Sequence, residues 1–163
     1  MTARPLAVSH VTTITPDLDR YRRFYEDVIG LRTVAVVRMD DPPHLRHAVL
    51  SVDDRTVVHV FEQPGFDPTA DGIGTEMGHR GRIDHLGFLV ADDELQDYAD
   101  RLRHVGASDG EIRRAGLGLT VHFTDPDGFQ GEINARDQNI DPASNAGQVG
   151  RCSGPEARRS RPR

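Results

Sequence analysis

Four side chains capable of metal binding or acid–base chemistry interrupt otherwise apolar segments of this 163-residue chain: His10, His59, His85 and Glu132. A buried imidazole or carboxylate is costly unless it is paired, hydrogen-bonded or bound to a metal. Three imidazoles and one carboxylate that converge on one cavity could hold a divalent ion. Two histidines and one carboxylate with open positions suit non-haem iron, and His/Glu sets also hold zinc, nickel, cobalt or manganese. We therefore expect a divalent metal site that Fe2+, Ni2+, Zn2+, Mn2+ or Co2+ could occupy, and the donor set alone does not choose among these ions.

The individual roles within this set stay open at the level of sequence. Three protein ligands can suffice for a catalytic metal, so His59 is either a fourth ligand or a nearby base. His122 shares the polar face of an alternating strand with Thr120 and Thr124. If that face lines the cavity, His122 is a candidate acid or base; otherwise it faces solvent. The remaining histidines are interpreted as surface residues: His44, His47, His79 and His104.

The elements that must position these residues follow from local patterns in the first half of the chain. Residues 7–14 are rich in β-branched side chains, which predicts a strand. Thr15 suits the N-cap of a following helix, and Gly30 suits its end. Three extended runs follow, at 31–38, 45–52 and 56–62. Helical spacing assigns four aromatic side chains to the core: Tyr21, Phe24, Tyr25 and Tyr98.

The second half repeats this order. A strand is predicted at 83–90 and a helix capped by Asp92 and ended by Gly106. Further strands are predicted at 108–113, 119–124 and 129–134. The fold class is therefore α+β, with two βαβββ modules. The equivalent pair His10 and His85 lies 75 residues apart, and His59 and Glu132 lie 73 apart, as in a diverged repeat. The predicted divisions are a first module at 6–62, a linker loop at 63–82, a second module at 83–136 and a disordered, Arg-rich tail at 137–163.

Composition excludes several classes of function. The formal net charge is −6, and the last thirteen residues hold five Arg against one Glu, so the body is more acidic still. An acidic body is a poor surface for nucleic acid. All 20 basic residues are Arg, which excludes a lysine Schiff base, and the single cysteine, Cys152, excludes an intrachain disulfide. No segment reads as a membrane span or a secretion signal, so a cytoplasmic protein with a small-molecule substrate is expected.

At this point the chain resembles the vicinal oxygen chelate superfamily, which includes glyoxalase I, bleomycin- and fosfomycin-resistance proteins and extradiol dioxygenases. The resemblance covers about residues 6 to 136. It rests on the βαβββ repeat, the histidine that opens each half, the Asp-Leu-Asp-Arg-Tyr helix and the Asp-Pro-Asp-Gly run at 125–128 followed by Glu132. It implies a partly open, eight-stranded, barrel-like sheet around a metal cavity, often in a homodimer. His10, His85 and Glu132 then fall on the superfamily's usual ligand positions, and His59 on the remaining one.

The resemblance also favours one type of chemistry over others. Glyoxalase I-like enzymes usually carry Glu where this chain has His59, and epimerases carry Gln. Extradiol enzymes place an acid–base Tyr about ten residues before the ligand Glu, where this chain has His122. We therefore expect dioxygenase or lyase chemistry on a substrate with two neighbouring oxygens, and with it Fe2+ as the most favoured ion. The alternatives are a glyoxalase I-like isomerase, and a non-catalytic, antibiotic-binding protein of the bleomycin-resistance type. A metal-loaded sensor or scaffold that recruits a partner through its basic tail is a third.

Overall fold

The computed structural model describes residues 7–40, 45–67, 83–115 and 118–136 and contains two βαβββ modules in succession. The eight strands are β1 (His10–Thr15), β2 (Arg32–Arg38), β3 (Arg46–Ser51), β4 (Val57–Glu62), β5 (His85–Val90), β6 (Arg113–Ala115), β7 (Gly118–Thr124) and β8 (Gln130–Arg136). The helices are α1 (Leu18–Phe24), which continues as a π-helical turn at Tyr25–Ile29, and α2 (Leu95–His104), which follows a 3-10 turn at Asp92–Glu94. The predicted repeat of modules is confirmed.

Each module forms its own four-stranded mixed sheet. The strand orders are β1-β4-β3-β2 and β5-β8-β7-β6, so β1 and β5 lie at equivalent edges. In both sheets the first strand runs parallel to the last, and the other pairs are antiparallel. The two sheets are partly open and do not close into a barrel.

Alternation along the strands gives each sheet a helix-covered face and an open face. Val58 and Val60 are 2% and 0% exposed and pack in the core with α1, and Ile133 is 0% exposed beneath α2. Because neighbouring strand residues point to opposite faces, His59 and Glu132 lie on the open faces. The open face is therefore the place to look for chemistry in both modules.

The first helix begins two residues later than its sequence predicts. Asp17, not Thr15, is the N-cap, and its Oδ1 accepts a hydrogen bond from the Arg20 N–H at 2.9 Å. The Thr15 hydroxyl is instead buried and bonded to the backbone of Asp17. The end of the helical segment is as predicted, because Gly30 adopts a left-handed conformation with φ 87°.

Two predictions in the second module are wrong in detail. Asp92 lies in the 3-10 turn and does not cap α2. The predicted strand at 108–113 is a loop, and β6 starts only at Arg113. The reason is local: Gly110 has φ 69°, and the Arg103 guanidinium donates hydrogen bonds to the carbonyls of Asp109 and Gly110. A backbone with positive φ that is engaged by a side chain cannot extend into a sheet ladder.

The modules pack against each other through α1 and its π-helical extension on one side and the end of β7 with the β7–β8 turn on the other. The Tyr25 hydroxyl donates to Asp125 Oδ2 at 3.0 Å, and the Phe24 and Phe123 rings lie 5.9 Å apart. Arg20 pairs with the buried carboxylate of Asp127. The aromatic residues assigned to the core from helical spacing are buried or packed against it, as predicted.

Two sequence expectations lie outside the described residues: most of the linker, at 68–82, and the tail at 137–163. In the part of the chain that the structure describes, no helix is long and apolar enough to cross a membrane.

Candidate metal centre

The second module brings three of the chemically active side chains together on its open face. His85 Nε2 lies 3.5 Å from one carboxylate oxygen of Glu132, and His122 Nε2 lies 3.5 Å from the other. The register explains this, because Glu132 on β8 pairs with Gly87 of β5 and with His122 of β7. The Glu132 side chain is 18% exposed, so its carboxylate is largely removed from water. We call His85, Glu132 and His122 the second-module cluster.

Each histidine of this cluster lies at a distance from Glu132 that two ligands of one metal ion can have. At 3.5 Å, these donor pairs are longer than ordinary hydrogen bonds. Two donors that each lie about 2.1 Å from one ion at a near-tetrahedral angle are about 3.4 Å apart. Imidazole nitrogen and carboxylate oxygen are also donors that Zn, Fe and Mn accept. The donor types therefore suit a divalent ion and each His–Glu pair has a suitable spacing, but the three side chains together do not converge closely enough to hold one.

Asp84 fixes the ring of His85. His85 Nδ1 lies 2.9 Å from Asp84 Oδ2. An ionised carboxylate can only accept hydrogen bonds, so the neutral His85 ring carries its proton on Nδ1 and has its lone pair on Nε2, the nitrogen on the side of Glu132. This is the carboxylate–histidine arrangement that commonly supports metal ligands. Sequence reasoning missed Asp84, although its position directly before a candidate ligand was a usable signal.

Asn134 is a second residue that sequence reasoning missed. Its amide nitrogen donates to Glu132 Oε2 at 3.4 Å, and the two residues share one face of β8 because they are two apart. The space for this amide comes from Gly87, since a Cβ there would lie 2.9 Å from Asn134 Nδ2. Gly87 therefore allows the Asn134 side chain to lie close to the β5 backbone; its role is not backbone flexibility.

The first module carries a separate group of histidines on its own open face. The His10 and His59 rings lie 4.9 Å apart, and His59 Nδ1 lies 3.0 Å from His47 Nε2. His10 Nδ1 lies 3.0 Å from the Ser9 hydroxyl. We call His10, His47 and His59 the first-module cluster.

The surface interpretation of His47 is wrong. This ring is half-buried and stacks on Phe61, with a 4.3 Å centroid distance and a 6° interplanar angle. Burial, and after it the neighbouring His59, lower the pKa of His47. The signal available in sequence was the strand alternation that places His47 and Val49 on one face of β3. The pairing of Val49 with His59 then makes His47 a diagonal neighbour of His59.

His104 is exposed on α2, as expected, and His44 and His79 lie outside the described residues.

The two clusters do not form one site within the chain. Among the described residues, no three His, Cys, Asp or Glu side chains are close enough to hold a metal ion. The expected convergence of His10, His59, His85 and Glu132 on one cavity is therefore not seen inside a single chain. Both clusters lie on open faces, whereas the contacts between modules run through the helices and the β7–β8 turn.

A cavity of about 300 Å³ borders β1 next to the β7–β8 turn. Its walls include the apolar side chains of Val11, Ile14 and Phe129 and the buried carboxyl of Asp125. Burial raises the pKa of Asp125 to about 6, although backbone N–H groups and the Tyr25 hydroxyl bond to its oxygens. This carboxyl links the two modules and does not belong to either cluster.

Comparison with known proteins gives consistent matches. A family model described as the Glyoxalase/Bleomycin resistance protein/Dioxygenase superfamily matches residues 7–133. A manganese-dependent 2,3-dihydroxybiphenyl 1,2-dioxygenase from Geobacillus genomosp. 3 is 24% identical over 137 residues. The match covers 82% of this chain but only 38% of that protein, so the chain spans well under half the length of this relative.

Solved structures share the fold. A glyoxylase/bleomycin resistance protein/dioxygenase domain from Frankia sp. EAN1pec has a TM-score of 0.66 at 23% identity, covering 84% of this chain and 96% of the domain. A variant of the fosfomycin resistance protein FosX from Listeria monocytogenes, in complex with Mn(II) and 1S,2S-dihydroxypropylphosphonic acid, has a TM-score of 0.57 at 17% identity. That match covers 80% of this chain and 93% of FosX.

Proposed function

The chain belongs to the glyoxalase/bleomycin resistance protein/dioxygenase superfamily, and we propose that it is a divalent-metal-dependent enzyme whose small substrate carries two neighbouring oxygen atoms. The ligands are His10, His85 and Glu132, with His59 as a fourth ligand or as a base. His122 is the proton-transfer group.

The observation that carries this proposal is that three histidine rings are each held through Nδ1, which leaves their Nε2 atoms available. His10, His59 and His85 each use Nδ1 for a partner in the protein: Ser9, His47 and Asp84, respectively. This leaves Nε2 of all three rings on the open faces for another partner. A histidine held through one nitrogen and open at the other is the usual arrangement of a metal ligand. The Glu132 carboxylate, 3.5 Å from His85 Nε2, supplies the negative charge.

The names of the relatives support the substrate class. 2,3-Dihydroxybiphenyl, in the name of the Geobacillus dioxygenase, and 1S,2S-dihydroxypropylphosphonic acid, bound to the FosX variant, each carry two neighbouring hydroxyls. The dioxygenase is named as manganese-dependent, and the FosX variant is described in complex with Mn(II). They give no support to the Fe2+ preference expected from sequence, so we place Mn2+ first. Substrate assays distinguish among oxygenase, lyase and isomerase chemistry.

The protein side chains would divide the work as follows. A bound divalent ion supplies Lewis acidity, which stabilises negative charge on a substrate oxygen. His122 Nε2 lies 3.5 Å from Glu132 Oε1 on the neighbouring strand. It would therefore give or take a proton next to the Glu132 carboxylate. Asn134 holds the carboxylate of Glu132 from the other side.

We place the complete centre between two copies of the chain, with His85 and Glu132 from one copy and His10 and His59 from the other. Both clusters lie on open faces, and β1 and β5 are edge strands. Apolar side chains on the same faces are exposed without cover from the described residues, including Ile14 at 45% and Leu89 at 59%. An isologous dimer would cover these side chains and give two equivalent sites.

Complementation tests both the ligand set and the assembly. We expect His10→Ala and Glu132→Ala each to lose stoichiometric Mn2+ binding. When the two variants are unfolded, mixed and refolded together, about one quarter of the sites should be restored, because half of random dimers are mixed and each has one intact site. Restoration of no sites, with both single variants folded, would refute a centre shared between copies.

Elemental analysis tests the metal itself. The parent and the exposed-helix control Asp97→Ala should hold equal metal, and Glu132→Ala little. Turnover of catechols or of α-keto substrates by the loaded protein then separates oxygenase from isomerase chemistry. Small-molecule binding that is unchanged by a chelator, in a protein that takes up no metal, would instead support the antibiotic-binding alternative.

A further inference from the structure

We propose that His47 is a positioning residue that holds the His59 ring in the tautomer with its proton on Nδ1. The role of this contact rests on the proposed function, but the contact itself does not require a metal. The distance between His47 Nε2 and His59 Nδ1 is 3.0 Å, which is a hydrogen bond. In this arrangement Nδ1–H of His59 donates and Nε2 of His47 accepts.

The acceptor is itself held in place. His47 is directly opposite Phe61 in the β3–β4 pairing, and the two rings stack in parallel at 4.3 Å. His59 lies on the same face of β4 as Phe61, two residues away. Strand register alone therefore places both ends of the hydrogen bond before any ligand arrives, and the Phe61 ring packs against one of them.

The direction of the hydrogen bond decides what His59 offers to the site. A neutral imidazole carries one proton, and the hydrogen bond made by one nitrogen sets the state of the other. If His59 donates from Nδ1, its Nε2 presents a lone pair, as Nε2 of His85 does opposite Asp84. If His59 accepted instead, Nε2 would present an N–H and could neither bind a metal nor take a proton. The proposed role of His59 therefore requires an acceptor at the position of His47.

Nuclear magnetic resonance can measure the tautomer directly in the full-length, metal-free protein. Histidine is labelled with 15N, and long-range 1H–15N correlations are recorded at about pH 8, where ordinary histidines are neutral. His59→Gln identifies the His59 signals. We expect wild-type His59 to be protonated on Nδ1, and His47→Leu to shift its proton to Nε2. His47→Gln, whose side-chain carbonyl can replace the acceptor, should restore the Nδ1 tautomer.

Two controls separate the hydrogen bond from packing. Phe61→Leu removes the stack but keeps the acceptor, and His104→Leu makes the same exchange on an exposed helix face. Neither should change the His59 tautomer. A wild-type His59 protonated on Nε2, or a tautomer unaffected by His47→Leu, would overturn the proposal.

A titration with Mn2+ then tests the consequence. His47→Leu should weaken binding about tenfold to a hundredfold, as expected for loss of a residue that orients a ligand, and His47→Gln should stay close to wild type. Equal losses in both variants would assign His47 to packing alone and overturn the positioning role. If wild type itself binds no Mn2+, the proposed function and the role of His47 in it both fail, while the spectra still decide the hydrogen bond.

Discussion

Asp125→Asn should change how stability depends on pH. Asp125 is buried where the modules meet, and burial raises the pKa of its carboxyl from 3.8 to about 6. Its Oδ1 accepts hydrogen bonds from the N–H groups of Asp127 and Phe129, and its Oδ2 accepts one from the Tyr25 hydroxyl. Asparagine keeps the Oδ1 acceptor and the side-chain shape. Its amide can donate to the Tyr25 oxygen once that hydroxyl rotates. The substitution therefore removes the titration and keeps the turn.

The sign and size follow from linkage. Between about pH 4 and 6 the native state holds a proton on Asp125 that the unfolded chain has released. The contribution of Asp125 to the free energy of unfolding is therefore present at pH 4 and is lost as the pH rises through about 6. One pKa unit corresponds to about 1.4 kcal/mol, so the loss from pH 4 to pH 7 is about 2 to 3 kcal/mol.

Urea unfolding of wild type and Asp125→Asn at pH 4, 5, 6 and 7 measures this contribution. The stability of wild type relative to the variant should fall by about 2 to 3 kcal/mol across that range, because the other titrating groups cancel in the difference. Asp54→Asn, on an 86% exposed side chain, is the control and should leave the wild-type profile unchanged. A constant difference between wild type and Asp125→Asn would refute the raised pKa and the closed contact between modules.

Three further substitutions test the site and its scaffold. Asp84→Asn weakens the fixed orientation of His85 and should lower Mn2+ affinity about tenfold to a hundredfold with little change in melting temperature; unchanged affinity in a titration would contradict the assigned role. Gly131→Ala would bring a Cβ to 2.2 Å from the Phe123 ring, so urea denaturation should show a loss of about 1 to 3 kcal/mol, and a neutral result would mean that the ring has room to move. Gly128→Ala meets no neighbour but has φ 86°, so a loss of about 1 kcal/mol is expected from backbone strain alone, and equal stability would show that the turn can relax.

Local patterns in the sequence were sufficient for the order of elements and for the polar residues that interrupt them. Apolar alternation and turn residues act over a few neighbours, so the two βαβββ modules could be predicted. The same alternation places His59 and Glu132 on faces opposite their buried neighbours. Boundaries were less accurate. The N-cap at Asp17 and the loop at 108–112 depend on which of several nearby side chains hydrogen-bonds to the backbone.

Tertiary structure decided everything that depends on strand pairing. Strand register sets Glu132 beside His122 and brings His47 to His59, and these partners are ten and twelve residues apart in the chain. It also decides that the two clusters are separate within one chain, which the repeat alone could not reveal. A residue's type states what chemistry it can do. Which ring nitrogen is free to do it is set by the hydrogen-bond partner that folding supplies.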